Sequence, residues 1–365
     1  MDTMDTKESH VVNFTSRYDD LRIARTAMPN TAYSLCMLGA HMLSRRDVLM
    51  GAVAGAAALV RQTRDVVAAA SQPATPVGFD VPAGACDCHT HIFGDPRSFP
   101  FAANRVYTPE PASIEEMRAL HRALHVDRVV IVQPSVYGTD NACTLDAVRQ
   151  LGSRARAVAV IDDTASAAAL DAMHNAGVRG IRLNLATSGQ TDPAAARRRL
   201  QTAVRQLEGR RWHIQIYTGL PIVDAIKDQV MASPIPVVFD HFGGAQAALG
   251  VQQAGFDALL GLVRSGKAYV KISGAYRSSN ARPDYADVAP LAKALIAANP
   301  RRLLWGSDWP HPDSAAVAGR KTTDIALLLP IDDGRVLNQL AVWAPDAGLR
   351  TTILVDNPAR LYGFA

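Results

Sequence analysis

Ala85-Cys86-Asp87-Cys88-His89-Thr90-His91 is the stretch on which the fold turns. It reads as a short buried strand that ends in two alternating imidazoles. A doubly wound dinucleotide-binding sheet would instead close its first strand with a glycine-rich phosphate turn. Alternate residues of a strand share a face, so His89 and His91 enter the same space together. Seven more apolar runs follow outward from it: Arg128–Gln133, Arg156–Ile161, Arg179–Leu185, Trp212–Tyr217, Pro236–His241, Ala268–Ser273 and Arg302–Asp308. Segments with apolar residues at helical spacing lie between them, among them Ser113–Leu124, Pro193–Leu207 and Asp287–Ala298. Runs rich in Val and Ile suit strands buried on both faces of a parallel sheet. Eight βα units predict an α/β fold, a (β/α)8 TIM-type barrel in a single domain over 84–365.

Catalytic groups of such a barrel gather at the C-terminal strand ends. Those positions hold His89 and His91, then Gln133 with Ser135, Arg182 and Asn184, Gln215 and Tyr217, Asp240 and His241, Lys271 and Ser273, with Arg277 just beyond, and Asp308. A single histidine there would more often be a hydrogen-bonded core residue. Three histidines and an aspartate at four strand ends point to chemistry.

Bulk composition narrows the classes. The chain has 365 residues, 48% hydrophobic and 20% charged, with a net charge of +4 and both signs interspersed. No basic stripe stands out, which argues against nucleic acid as a partner. Four cysteines are too few for a disulfide scaffold, and Cys86 with Cys88 reads as strand packing.

The residues above resemble the amidohydrolase superfamily, in its branch of small lactonases similar to 2-pyrone-4,6-dicarboxylate lactonase. Matching stretches include Cys86–Gly94, Val132–Asn141, Arg179–Asn184, Trp212–Gln215, Asp240-His241, Leu304–Pro312 and Asp356–Phe364. The resemblance implies that Asp308 activates water while His89, His91 and His241 polarise a lactone carbonyl. It further implies that Arg182 and Arg277 hold a substrate carboxylate, and that Tyr217, Tyr107 and Ser135 contact substrate. The expected activity is hydrolysis of a small carboxylate-bearing lactone. Alternatives are a sugar-lactone isomerase, a metal-dependent decarboxylase of the same superfamily, and a non-catalytic binding protein, which would need a decayed catalytic set. Departures occur where the branch carries further cations: Ser188 and Gly244 stand there, and Asp313 replaces an expected asparagine.

The branch has metal-free and zinc-bearing members. Arg182, Asn184, Gln215 and Tyr217 stand where two-metal relatives place a bridging anion and another histidine. Two metals are therefore not expected. Arginines beside a cation cost Coulomb energy, so no metal is favoured. The alternative is one Zn²⁺ on His89, His91 and Asp308.

The first 70 residues read as an extension with a twin-arginine signal. Ser44-Arg45-Arg46-Asp47-Val48-Leu49-Met50 precedes the weakly apolar run 51–60, and Ala68-Ala69-Ala70 offers cleavage near 70/71. Residues 71–83 read as a Pro-rich linker. The expected location is periplasmic, reached through the twin-arginine export machinery, with cytoplasmic as the alternative.

Overall fold

Every one of the eight expected runs is a strand in the computed structural model, which describes residues 70–314 and 319–365. They are β1 (Cys86–Thr90), β2 (Arg128–Val132), β3 (Ala155–Ala159), β4 (Val178–Asn184), β5 (His213–Tyr217), β6 (Val237–Phe239), β7 (Ala268–Ser273) and β8 (Leu303–Gly306). Each pairs in parallel with the next in chain order. Helices return the chain between them: α1 (Ile114–Ala123), α2 (Ala142–Leu151), α3 (Ala167–Asn175), α4 (Pro193–Gln206), α5 (Leu220–Ala232), α6 (Phe256–Arg264), α7 (Ala289–Ala298) and α8 (Asp333–Trp343). Their starts are chemically marked. Ser113 and Glu116 form a reciprocal capping box on α1, and Asp192 caps α4 ahead of Pro193.

The ring closes through the residues at its mouth. Thr90 bridges Trp309 in parallel. His91 N donates to Trp309 O, and Asp308 N donates to His89 O, each at 2.8 Å. Closure and site therefore share one backbone seam.

Inside the ring, Cys86 and Cys88 pack with Val130, Val132, Val158, Val238 and Leu304. All three described cysteines are free and buried, as strand packing requires. Asp87 faces the other way and lies 3.2 Å from His121 of α1. Strict alternation would send His89 outward with Asp87. The register of β1 against β2 instead shifts between Asp87 and Thr90. Such an irregularity re-aims a side chain, here turning His89 into the mouth with His91.

Residues 71–83 contain no helix or strand, but they are fastened to the barrel. Trp309 Nε1 donates to Ser71 O at 3.0 Å, and Asp332 accepts from Thr75 N and Thr75 Oγ1. The twin-arginine region lies outside the described residues. No helix among the described residues is long and apolar enough to cross a membrane.

Candidate active site

The mouth of the barrel holds a narrow cavity of about 10 Å³, room for about one water, lined by His91, Tyr107, Ser135, Arg182, Tyr217, His241 and Arg277, with Asn184 and Thr187. Seven of the nine residues expected from the sequence thus meet on one surface. The other two, His89 and Asp308, lie directly beneath it and are fully buried.

Asp308 organises the centre. Its Oδ1 faces three imidazoles: His89 Nε2 at 3.6 Å, His91 Nε2 at 3.7 Å and His241 Nε2 at 3.7 Å. Its Oδ2 points away and accepts from Tyr276 OH at 2.6 Å and from Arg277 Nε at 2.5 Å. Burial pushes the Asp308 carboxyl up, but Arg277 and the surrounding imidazoles outweigh it and hold the group well below the usual carboxylate range. Burial lowers His91 to about 3, His241 to about 4, and His89 well below its ordinary value. An ionised carboxylate therefore sits among neutral imidazoles near pH 7.

Local backbone makes this crowding achievable. Asp308 and His241 both adopt left-handed φ, 66° and 48°. Non-glycine residues persist there only when packing over-determines them, and they cluster at functional sites. Gly306 is needed for space, since a Cβ on it would lie 2.8 Å from the His89 Cβ and backbone N.

Hydrogen bonds assign one tautomer. His91 Nδ1 lies 2.7 Å from Val132 O, an acceptor only, so Nδ1 carries the proton and Nε2 presents a lone pair. His89 Nε2 and Asp308 Oδ1 are buried without a hydrogen-bond partner. An imidazole nitrogen and a carboxylate oxygen that face each other at 3.6 Å in a dry site could both be satisfied by a cation between them. His89, His91 and Asp308 form a group that could hold a metal ion, and His89, Asp240 and His241 form another.

Behind His89 lies a buried polar layer that the sequence marked only as strand-end residues. Asp240 Oδ1 is 3.3 Å from His89 Nδ1, while its Oδ2 accepts from Gln215 Nε2 at 3.1 Å. Lys271 Nζ donates to Gln215 Oε1 at 2.7 Å and lies 3.3 Å from His89 Nδ1. Burial lowers the Lys271 pKa. These groups fix the His89 ring from behind, as outer partners of metal-ligating histidines do.

The substrate-facing wall differs from expectation in one respect. Arg277, expected on a substrate carboxylate, is engaged by Asp308 and reaches Ser314 Oγ at 3.3 Å. Arg182 makes only long contacts, at 3.4 Å to Gln133 O and 3.4 Å to Asp240 Oδ2, and its buried Nε has no partner. Tyr217 lies under both guanidinium groups, 5.6 Å and 5.9 Å from ring centre to Cζ. Tyr107 is bonded to Ser135, and burial raises its phenol to about 12. Tyr276 escaped sequence reading altogether; its neighbour Arg277 was the only signal.

Comparison with known proteins agrees with this architecture. A 4-sulfomuconolactone hydrolase from Rhizobium radiobacter is 36% identical over 291 residues, covering 79% of this chain and 93% of that protein. A 2-pyrone-4,6-dicarboxylate hydrolase from Comamonas testosteroni is 35% identical over 293 residues, with 78% and 92% covered. A solved structure from Pseudomonas putida, described as a candidate 2-pyrone-4,6-dicarboxylic acid hydrolase, superposes with a TM-score of 0.64 at 30% identity, covering 78% of this chain and 99% of that one. The sequence profile described as Amidohydrolase matches residues 86–364, from the first barrel strand to the penultimate residue, and this chain belongs to the amidohydrolase family.

Proposed function

We propose that this chain is a lactonase that opens a small carboxylate-bearing lactone by adding water at the ring carbonyl. The observation that carries the reading is the Asp308 carboxylate, ionised, held through Oδ2 and turned through Oδ1 toward three neutral imidazoles under a small cavity. Tyr276 and Arg277 keep the carboxylate from rotating, so one oxygen is presented as general base. Asp308 takes a proton from water as its oxygen attacks the carbonyl carbon. The carbon–oxygen ring bond then breaks, and Asp308 returns the proton to the departing ring oxygen. Arg182 anchors the substrate carboxylate, and Tyr107 with Ser135 offers neutral hydrogen bonds from the same cavity lining.

His89, His91 and Asp308, with His241 beside them, fit one divalent cation better than a metal-free site. The orphaned Nε2 and Oδ1 atoms and the His91 tautomer support this. The charge argument against an ion weakens, because the Arg277 cation is already paired with Asp308 through Oδ2 and the Arg182 cation with Asp240. When bound there, zinc or a similar ion would polarise the carbonyl and lower the pKa of water.

Purified protein incubated with a lactone panel in ¹⁸O-water tests the reading, with metal content measured in parallel. The expected product carries one labelled oxygen, which an isomerase product would lack. Chelation should abolish turnover, and Asp308→Asn should lower kcat about 10²–10⁴-fold. A folded Asp308→Asn protein working near the wild-type rate would sink the proposal.

Location belongs to the same proposal: export by the twin-arginine route to the periplasm, supported by the order Arg45-Arg46, apolar run, Ala68-Ala69-Ala70. Replacing both arginines with lysine should strand the precursor in the cytoplasm, whereas unchanged periplasmic accumulation would refute the signal.

A further inference from the structure

Two arginines line the cavity, and they are not equivalent. Arg277 faces Asp308, so a substrate anion would have to compete with Asp308 for it. Arg182 is buried with an unpartnered Nε, and its one carboxylate neighbour, Asp240 at 3.4 Å, is shared with Lys271 at 3.6 Å, which leaves Arg182 the less fully engaged guanidinium on the cavity wall. Beside Tyr217 lies a larger outer space lined by Val106, Ala186, Thr187, Ser188 and Gly189. Thr187, Tyr217, Arg277 and Ser314 border both spaces, which places the two side by side. Apart from the engaged Arg277, the outer space has no charged lining residue among the described residues. Val106 is 46% exposed there, a large apolar side chain left at the entrance of a polar site.

Resting on the lactonase reading above, we infer that the substrate is a lactone with a single carboxylate, held by Arg182, and an uncharged apolar substituent lying in the outer space against Val106 and Ala186. A second carboxylate in that position would lose water without gaining a cation. An alkyl group there would cover Val106 and leave water itself. The site therefore selects by the number of charges as well as by ring shape.

The test compares two 2-pyrone-6-carboxylates that differ only at ring position 4, one bearing a propyl group and the other a second carboxylate. Wild-type kcat/KM should favour the propyl compound by about 10-fold, the worth of a few partly buried methylenes and an avoided desolvation. Val106→Arg puts a cation at an exposed rim position outside the catalytic set, and should reduce that ratio about 10-fold with thermal stability unchanged. A wild-type preference for the dicarboxylate, or a ratio indifferent to Val106→Arg, would overturn the inference. Calorimetry with 3-propylbenzoate and isophthalate, which cannot be hydrolysed, separates the two readings. If neither pyrone is opened but 3-propylbenzoate binds more tightly, the reaction fails and the subsite stands. If isophthalate binds more tightly, the subsite fails whatever the turnover.

Discussion

At the scale of single residues, the two arginines should separate kinetically. Arg182→Met removes a charge-assisted contact in a partly dry site, worth about 2–4 kcal/mol, so kcat/KM for carboxylated lactones should fall roughly 30- to 1,000-fold, mainly through KM. Neutral lactones should be much less affected. Arg277→Met loosens Asp308 instead, so kcat should fall for charged and neutral substrates alike. Matching profiles for the two variants would show that the assigned division of labour is wrong. The sequence placed both arginines at the mouth correctly and could not distinguish them. Spacing identifies which strand end a guanidinium occupies, but not whether its partner carboxylate belongs to the substrate or to the enzyme. Tyr276 was illegible for the same reason, since a tyrosine in a single helical turn usually packs without touching a catalytic group.

Elements, rather than residues, decide whether the histidines reach the mouth at all. The eight apolar runs were legible because buried parallel strands leave continuous Val/Ile-rich stretches. The shift in β1 was not, because no residue type in Cys86–Thr90 marks a bulge. Nor did periodicity show that the chain turns left-handed at His241 and Asp308, which place their side chains beyond the ends of β6 and β8. Residues 71–83 look like a linker in composition, and only the contacts of Trp309 and Asp332 reveal a strap. Gly306 links strand packing to the site, which makes Gly306→Ala the sharpest test of this scale. The added methyl would press on His89 at 2.8 Å, backbone included. Overpacking of this kind costs about 1–3 kcal/mol, and the displaced ring should lower activity more than stability explains. A variant that melts normally and keeps full turnover would mean that the β1–β8 seam is looser than the packing requires.

The whole molecule carries its chemistry on neutral, buried histidines, and this gives its stability a pH dependence of definite sign. Burial lowers His213 to about 3, alongside His91 at about 3 and His241 at about 4. His213 packs edge-on to Tyr362 at 5.2 Å and is in neither group of possible metal ligands, and burial is the first cause of its lowered pKa. A histidine with a depressed folded pKa takes its proton first in the unfolded chain, where the pKa is about 6.5. Its contribution is fully present above that value and is lost as pH falls toward the folded pKa. Each such histidine should remove about 1 kcal/mol per pH unit below 6.5, and any ion bound by His91 would be lost in the same direction. Asp308, held below its ordinary range, adds a loss of the same sign at lower pH. Urea midpoints measured at pH 7.5, 6.5 and 5.5 should therefore fall steeply over the last interval and little over the first. In metal-stripped protein the fall should persist, since His213 has no ligand to lose. A midpoint that stays level down to pH 5.5 would show that these imidazoles are hydrated or already charged, and the neutral-imidazole centre around Asp308 would go with it.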